Sequence, residues 1–325
     1  MITASIEPHG GESATPPSVM LHSGIQMPIV GLGGGIFDGP AEEAVLSSFR
    51  LGYRLVDTAA NYKTEAAIGR AVRRSELPRD SFFLVSKAPT SGYHAVLASF
   101  ERSLAELQVN FLDGFLLHGA AANGVRDLRA AEHASARIES WRALAELRCR
   151  GPPPYRRCAR AIGVCNHSPR QLLPLLEIAT PDIHQIELTP LLQRNETLEF
   201  CASHGIVCQG YGNGGGGWKL WRKRPTLDFL HAPAVLSAAA AHGVSPMQVS
   251  LRWSLQRGVA VVPKAIDVTH QQENLRLFHF ELSAAEMAAL NSLDGGKEAA
   301  ASREVATVRG DPRSVYGFLD PEEIL

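Results

Sequence analysis

"LGYRLVDTAANYKTEAAIGRAV" (51–72) carries, in one short stretch, the pattern that decides the fold. Residues 53–59 form an apolar run typical of a buried strand, and a carboxylate, Asp57, lies at its end. A loop containing Tyr62 follows, and "EAAIG" (65–69) then begins a helical pattern. A short apolar strand followed by a helix favours a parallel sheet over a meander of hairpins.

The same strand-then-helix unit recurs along the chain. Helical stretches such as "AEEAVLSSFRLG", whose Val45, Leu46 and Phe49 recur at helical spacing, separate the apolar runs. The runs are 27–35, 53–59, 82–89, 111–119, 159–167, 183–190, 205–211 and 258–265. Eight such units predict a single α/β domain, a closed (β/α)₈ TIM barrel.

Composition limits the partners and the compartment. The 325 residues include 32 basic and 33 acidic side chains, so no excess of positive charge indicates nucleic acid or an acidic membrane surface. The five cysteines are odd in number and lack the spacing of zinc ligands, which favours a reducing, cytoplasmic location and no metal. Residues 1–18 lack an apolar core and are predicted to be a flexible tail before the 19–325 barrel domain.

Two connections interrupt the alternation of strands and helices, and one glycine run could be mistaken for a dinucleotide-binding motif. The connection 119–137 follows the fourth predicted strand, on the side where a barrel's active site lies. The Pro-rich loop 151–158 precedes the fifth strand and is expected on the opposite face. "GNGGGG" (212–217) satisfies the GxGxxG pattern of dinucleotide-binding folds, but no clear helix start follows it. A Rossmann domain is therefore only an alternative, and a loop is the preferred interpretation.

Four chemically distinct side chains lie where the predicted strands deliver residues to the active-site end of a barrel. The second strand delivers Asp57 and, just beyond it, Tyr62; the third delivers Lys87 and the fourth His118. Each residue alone has an ordinary explanation, such as a helix cap or a solvated side chain. An acid, a phenol, an amine and an imidazole at corresponding places on adjacent strands instead indicate one catalytic site.

These four side-chain types are suited to donating a proton. A free tyrosine titrates at about pH 10, but a nearby lysine ammonium stabilises the phenolate and makes the phenol a better acid. An aspartate keeps that lysine charged, and a histidine orients the oxygen that receives the proton. Since the pattern includes neither a nucleophile nor metal ligands, the reaction needs a source of electrons, and a nicotinamide cofactor supplies hydride.

The sequence resembles the aldo-keto reductases over about residues 19–295. The similarity is carried by "VMLHSGIQMPIVGLG", "LGYRLVDTAANYKTEAAIGRAV", "FLVSKAP", "SLAELQVNFLDGFLLH", "RAIGVCNHSPRQL", "HQIELTP" and "VVPKAIDVTHQQENLRLFHFELS". It implies reversible reduction of small aldehydes and ketones by NAD(P)H. The fold implied is a barrel with an N-terminal β-hairpin and a C-terminal loop, after Gly295, that closes the pocket. The matching catalytic tetrad is Asp57, Tyr62, Lys87 and His118.

The resemblance also implies a cofactor site. Asn166 and Gln185 match side chains that bind the nicotinamide carboxamide, and Tyr211 matches the ring that stacks on the nicotinamide. Lys264 and Asn274 match residues that hold the adenosine end, with Lys264 facing the 2′-phosphate.

Three cofactor positions depart from the family pattern. Cys165 replaces the usual serine beside the carboxamide, and Ala265 replaces the serine that usually follows the lysine. His270 replaces an arginine, and a neutral histidine lacks the bidentate phosphate contact of arginine. The preference for NADPH is therefore weakened, but Lys264 still favours NADPH, with NADH as the alternative cofactor.

The substrate pocket departs further from the pattern. Gly35 and Gly119 stand where many members carry aromatic residues, so a wider pocket is expected. Candidates for lining it are Phe37, Trp218 and Trp221. The resemblance is to proteins that are commonly monomers or homodimers.

Two alternatives to a reductase remain at this point. The altered cofactor positions are compatible with an NADPH-binding regulatory or redox-sensing subunit with little turnover. An unrelated barrel lyase or isomerase would need a phosphate cradle or metal carboxylates, and the sequence offers neither pattern.

Overall fold

The computed structural model describes residues 16–35, 41–124, 131–151, 153–214 and 229–295. Within these ranges, no helix is both long and apolar enough to cross a membrane. Some predicted features lie outside the described residues: most of the tail, Phe37, Trp218, Trp221, residues 215–217 and the C-terminal loop after Gly295.

A two-stranded antiparallel hairpin precedes the barrel, as predicted. It consists of β1 (Ser18–Met20) and β2 (Gln26–Pro28), with Val19 opposite Met27. The Met27 side chain is fully buried, and its sulfur lies 3.9 Å from Nε2 of Gln209 inside the barrel. The hairpin therefore covers one end of the barrel and leaves the other end for the site.

Eight parallel strands confirm the predicted number and order. They are β3 (Leu32–Gly33), β4 (Leu55–Asp57), β5 (Phe83–Ala88), β6 (Leu112–Leu117), β7 (Ala159–Cys165), β8 (Ile183–Glu187), β9 (Val207–Tyr211) and β10 (Ala260–Val261). Each strand pairs with its neighbour in the chain, from β3 through β10. Apart from the half-buried Arg160 and Tyr211, every residue of the eight strands is buried, as expected for a parallel sheet covered by helices.

The barrel closes between its first and last strands. Val30 and Val261 form a parallel bridge, and the Gly31 amide donates to the Val261 carbonyl over 2.9 Å. Two residues further along, the Gly33 amide donates to the Pro263 carbonyl. These bonds join the two edges of the sheet, so the predicted (β/α)₈ fold is confirmed and the Rossmann alternative for "GNGGGG" is wrong.

Helices surround the strands. They are α1 (Ala41–Arg50), α2 (Glu65–Arg74), α3 (Tyr93–Leu107), α4 (Glu132–Leu147), α5 (Pro169–Leu176), α6 (Asn195–Ser203), α7 (Pro233–His242), α8 (Pro246–Gln256), α9 (Val268–Leu275) and α10 (Ala284–Asn291). Serine side chains close capping boxes at the starts of three of them, namely Ser168, Ser245 and Ser283. A capping box satisfies two amides that the first turn would otherwise leave without partners.

Close packing explains the glycine of "EAAIG". A Cβ added at Gly69 would lie 2.7 Å from the carbonyl oxygens of both Glu106 and Leu107, at the end of α3. Backbone atoms cannot yield that space, so only glycine lets α2 approach α3 this closely. The helix that follows Asp57 and Tyr62 therefore packs closely against α3 of the next strand–helix unit.

Each of the two predicted connections has a feature that the sequence analysis did not predict. The stretch 119–137 is partly helical, because α4 begins at Glu132 rather than after residue 137. The Pro-rich loop 151–158 joins α4 to β7 at the end of the barrel opposite the site, as expected. Cys149 and Cys158 flank it and form a disulfide, which the sequence analysis did not predict. Their Cα atoms lie 5.0 Å apart, a proximity that only the fold reveals.

Candidate active site

The four predicted catalytic residues meet at the carboxyl ends of β4, β5 and β6. Asp57 is the last residue of β4, Lys87 lies near the end of β5, and His118 directly follows β6. Tyr62 ends a single 3₁₀ turn, Ala60–Tyr62, in the loop after β4. Sequence reasoning therefore placed these side chains at the right end of the barrel.

A buried ion pair forms the inner half of the group. Lys87 is fully buried, and its Nζ donates to Asp57 Oδ1 over 2.6 Å and to the Thr58 carbonyl over 2.9 Å. Asp57 is 4 % exposed, and its second oxygen accepts from Gln185 Nε2 over 2.8 Å. With both charges paired and further hydrogen-bonded, the lysine is held at one position beneath the tyrosine.

The outer half pairs a phenol with an imidazole. The Tyr62 hydroxyl lies 3.1 Å from Nε2 of His118, and the two rings meet edge to face with centroids 5.2 Å apart. Nζ of Lys87 lies 5.1 Å from the centroid of the Tyr62 ring. The phenol is half-buried, so its hydroxyl faces the open end of the barrel with a positive charge behind it.

His118 is electrically neutral at physiological pH in this setting. Burial, and secondly the charge of Lys87, hold the pKa of His118 well below its usual value. A neutral imidazole has one N–H donor and one acceptor nitrogen. It can therefore hydrogen-bond an oxygen atom without carrying a charge into the site.

The depressed pKa of His118 should appear in the pH dependence of stability. Above about pH 6.5 the imidazole is neutral in both states, whereas below that pH only the unfolded chain takes up the proton. The free energy of unfolding should then fall with decreasing pH, by up to about 1.4 kcal/mol per unit from this group. Denaturant titrations at pH 7.5 and 5.5 should show a smaller fall for His118→Gln than for wild type. Equal falls would contradict this assignment.

A second group of predicted residues lies beside the tetrad. Asn166 follows β7 in a left-handed conformation with φ of 58°, and its Nδ2 lies 3.5 Å from the His118 carbonyl. The Tyr211 hydroxyl, at the end of β9, donates to Asn166 Oδ1 over 3.0 Å. Burial is the main cause that raises the pKa of Tyr211 well above its usual value. The buried thiol of Cys165 lies 3.9 Å from Gln185 Oε1.

The predicted adenosine residues lie together after β10. Lys264 is exposed, Ala265 is buried, and His270 is exposed in the first turn of α9. Asn274 is buried further along the same helix. The segment thus offers a lysine and the start of a helix at the same end of the barrel as the tetrad.

Comparison with known proteins decides the family. The model of the "Aldo/keto reductase family" matches residues 30–295, which contain the barrel, the tetrad and the adenosine segment.

The chain belongs to the aldo/keto reductase family.

Individual relatives agree with this assignment. An aldo-keto reductase from Mycobacterium sp. (strain MCS) is 38% identical over 291 residues, covering 88% of this chain and 94% of that protein. A crystal structure of an aldo/keto reductase from Brucella melitensis has a TM-score of 0.75 at 30% identity, covering 86% of this chain and 100% of the other. A Bombyx mori aldo-keto reductase solved with NADP has a TM-score of 0.75 at 25% identity, covering 87% and 94%. Members of this family are oxidoreductases that act on carbonyl compounds with nicotinamide cofactors.

Gln185 of this aldo/keto reductase has contacts that the sequence analysis did not include. Besides Asp57, its Nε2 donates to Gln209 Oε1 over 2.6 Å, and both glutamines are buried in the barrel interior. Gln209 was not among the predicted site residues. The strand alternation of "GIVCQGY" could have identified it, because Gln209 and Tyr211 share one face of β9.

Asp267 was also missed at the adenosine end of this family member. Its Oδ1 accepts from the amides of Thr269 and His270 over 2.8 and 3.3 Å and so caps α9. Those hydrogen bonds, first from His270 and then from Thr269, hold the pKa of Asp267 below its usual value. A carboxylate is therefore present between Lys264 and His270. An aspartate immediately before a helical pattern was the available signal.

The glycines of the predicted pocket lie beside the tetrad. A Cβ built on Gly35 would lie 3.8 Å from two atoms of the Tyr62 ring, in ordinary contact. Gly119 directly follows His118, and its carbonyl accepts from Thr90 Oγ1 over 2.5 Å. Gly35 thus places no side chain over the Tyr62 ring, and a wide pocket stays a prediction.

Proposed function

We propose that the protein reduces aldehydes and ketones to alcohols with a nicotinamide cofactor, and that Tyr62 donates the proton. One observation carries the proposal: the Tyr62 hydroxyl lies 3.1 Å from His118 Nε2, with the buried Lys87–Asp57 pair behind its ring. This arrangement is a phenol with a stabilised conjugate base at the open end of a barrel. It has no evident purpose as packing alone, since burying an ion pair costs desolvation energy.

The carbonyl oxygen is held between Tyr62 and His118. The tyrosine hydroxyl and the imidazole Nε2 both approach this position, so the oxygen receives hydrogen bonds that strengthen as negative charge develops on it. Tyr62 then transfers its proton to that oxygen. Because His118 is neutral, it orients the oxygen and polarises the carbonyl without competing as the acid.

Lys87 and Asp57 make Tyr62 acidic enough for this role. The Lys87 ammonium stabilises the phenolate that remains after proton transfer. Asp57 and the Thr58 carbonyl accept hydrogen bonds from that ammonium and hold it in place. Gln185 supports the second oxygen of Asp57, so the carboxylate cannot rotate away from the lysine.

The residues beside the tetrad fit a nicotinamide cofactor. Asn166, Cys165 and Gln185 present amide and thiol groups suited to a carboxamide, and the half-buried Tyr211 offers an aromatic face for stacking. When bound there, the cofactor supplies hydride to the carbonyl carbon. Asn166, which contacts both the His118 carbonyl and the Tyr211 hydroxyl, would hold the carboxamide of the cofactor beside the tetrad.

We propose NADPH as the preferred cofactor, with a small margin over NADH. The exposed Lys264 favours the 2′-phosphate, and Asn274, Ala265 and His270 complete the adenosine end. His270 lacks the fork of an arginine, and the Asp267 carboxylate repels a phosphate placed beside it. These two features reduce the discrimination without removing the attraction of Lys264.

The dissociation constants for NADPH and NADH should show this small preference. Wild type is expected to bind NADPH more tightly than NADH, and Lys264→Met should abolish the difference. Asp267→Asn keeps the helix cap but removes its charge, so it should raise the preference for NADPH by about two- to fivefold. Titration of protein fluorescence with each cofactor measures both constants on one preparation. If Lys264→Met leaves the ratio unchanged, the placement of the 2′-phosphate is wrong.

Turnover tests the proposed function against the regulatory alternative. The purified protein with NADPH and a panel of small aldehydes and ketones should oxidise the cofactor in a substrate-dependent way, followed at the absorbance of the dihydronicotinamide. Tight NADPH binding without oxidation by any member of the panel would instead favour a regulatory or sensing subunit.

We further propose that residues 19–325 form one domain, with residues 1–18 as a tail, and that the protein is a monomer or homodimer. The hairpin places the start of the domain close to this boundary, since Ser18 already pairs with Pro28. A cytoplasmic location also remains a prediction. Sedimentation analysis and limited proteolysis test the first two statements.

A further inference from the structure

A cluster of two thiols and an imidazole lies outside the barrel wall, one layer behind the site. His184 of β8 and Cys208 of β9 are paired across the sheet, and Cys201 on α6 packs over them. Their Nδ1 or Nε2 and Sγ atoms all lie within 4.8 Å of one another. The neighbouring residues Gln185 and Gln209 point into the barrel toward Asp57, so His184 and Cys208 face α6 on the other side.

The contacts of the two thiols differ, and they make Cys201 the more acidic one. The His167 amide donates to Nε2 of His184 over 3.1 Å, so that nitrogen has no proton. The proton of the neutral ring is therefore on Nδ1, which donates to Cys201 Sγ over 3.3 Å. The neighbouring Cys208 thiol lies within 4.8 Å, and the interaction of the two sulfurs lowers the pKa of Cys201 to about 5 and raises that of Cys208. Cys201, with a hydrogen bond from His184, is thus the sulfur that loses its proton more readily.

The same hydrogen bonds disfavour a metal ion. An imidazole that ligates through Nδ1 must carry its proton on Nε2, but Nε2 of His184 faces the amide of His167. Among the described residues the cluster offers three ligands, whereas structural zinc sites use four. A redox pair of thiols suits the arrangement better than a metal centre.

The cluster is connected to the proposed nicotinamide site through His184. His167, whose amide bonds to His184, directly follows Asn166, and its Nδ1 donates to the Cys165 carbonyl over 2.8 Å. The segment 165–167 therefore depends on the position of the His184 ring. If the Cys201 sulfur no longer accepts from Nδ1 of His184, the imidazole should shift, and Asn166 should shift with it.

We propose that Cys201 and Cys208 form a reversible dithiol–disulfide couple that is oxidised by hydroperoxides and lowers cofactor affinity when oxidised. The second part rests on the proposed function. The Cys201 thiolate attacks one peroxide oxygen, the O–O bond breaks, and Cys201 becomes a sulfenic acid as hydroxide or alkoxide leaves and is protonated. The Cys208 sulfur then attacks Cys201 and water leaves with the thiol proton. The two sulfurs lose two electrons, which the peroxide gains.

The two sulfurs are close together, but both are buried. The sulfurs lie within 4.8 Å of each other and must approach to about 2.05 Å for a disulfide to form. Cys201 is fully buried and Cys208 is 5 % exposed, so peroxide enters by local opening of α6, and a slow reaction is expected. Cys165 is the internal control, because burial raises its pKa and keeps it a protonated, unreactive thiol.

Mass spectrometry of the full-length protein tests the couple. Both cysteines lie in one tryptic peptide, 195–219, which contains no internal cleavage site. After treatment with hydrogen peroxide and alkylation under denaturing conditions, this peptide should be two hydrogens lighter and carry no alkyl group. Dithiothreitol before alkylation should restore two alkylation sites. Cys165→Ser should still form the lighter 195–219 peptide, whereas Cys201→Ser and Cys208→Ser should not.

Fluorescence titration with NADPH before and after oxidation tests the coupling. Oxidised wild type should bind NADPH at least severalfold more weakly, and dithiothreitol should restore the affinity, while Cys208→Ser should show no such reversible change. Failure of the peptide to lose two hydrogens, or stoichiometric zinc in the purified protein that Cys201→Ser lacks, would overturn the couple. A disulfide that leaves NADPH affinity unchanged would overturn the coupling. Reduced protein that binds no NADPH at all would instead contradict the proposed function.

Discussion

Tyr62→Phe is expected to lower kcat for carbonyl reduction by roughly 10²–10⁴-fold, the usual contribution of a positioned general acid. The phenyl ring keeps its place above Lys87 and beside His118, so only the transferable proton is removed. Cofactor affinity should be unchanged, and the free energy of unfolding should change by less than about 0.5 kcal/mol because the side chain is half-buried. Steady-state kinetics with saturating NADPH measure the effect.

Tyr155 provides a matched control for this substitution. It lies in the loop at the opposite end of the barrel, where its ring contacts Phe111. Tyr155→Phe removes the same atom and should leave kcat as in wild type. If Tyr62→Phe retains wild-type turnover, Tyr62 is not the acid and the mechanism is wrong.

Lys87→Met is expected to remove both activity and stability. The substitution leaves the carboxylate of Asp57 buried without its counterion, which should lower the free energy of unfolding by roughly 3–5 kcal/mol. It also removes the charge that stabilises the Tyr62 phenolate, so turnover should fall to the level of Tyr62→Phe. Denaturant titration and steady-state kinetics on one preparation measure the two losses.

A double variant separates the two effects. Asp57→Asn together with Lys87→Met leaves no buried charge at this position, so most of the lost stability should return. Turnover should remain at the level of the single variant, because the ammonium is still missing. Recovery of turnover together with stability would show that Lys87 acts only as a structural residue.

The barrel could be predicted from sequence because each unit repeats one local pattern. Buried parallel strands are continuous apolar runs, and eight of them with intervening helical periodicity leave few other architectures. The tetrad followed from the same reasoning, since the ends of parallel strands converge. Asp57, Lys87 and His118 lie at the predicted strand ends, and Tyr62 lies in the predicted loop.

What the sequence did not reveal depends on contacts between distant residues. Cys149 and Cys158 pair because α4 and β7 bring them together, which spacing alone cannot show. Gln209 acquires its partner Gln185 only through the register of β8 and β9. The start of α4 at Glu132 was missed because residues 132–137 are mostly small and polar and show little apolar periodicity.

Transfer of labelled hydrogen tests the central claim most directly. The full-length protein should be incubated with a carbonyl substrate from the panel and NADPH deuterated at both C4 positions of the dihydronicotinamide. The account predicts an alcohol with one deuterium on the former carbonyl carbon for each cofactor oxidised in wild type, and almost none with Tyr62→Phe. An alcohol without deuterium, or cofactor that binds and stays reduced with every substrate, would contradict it.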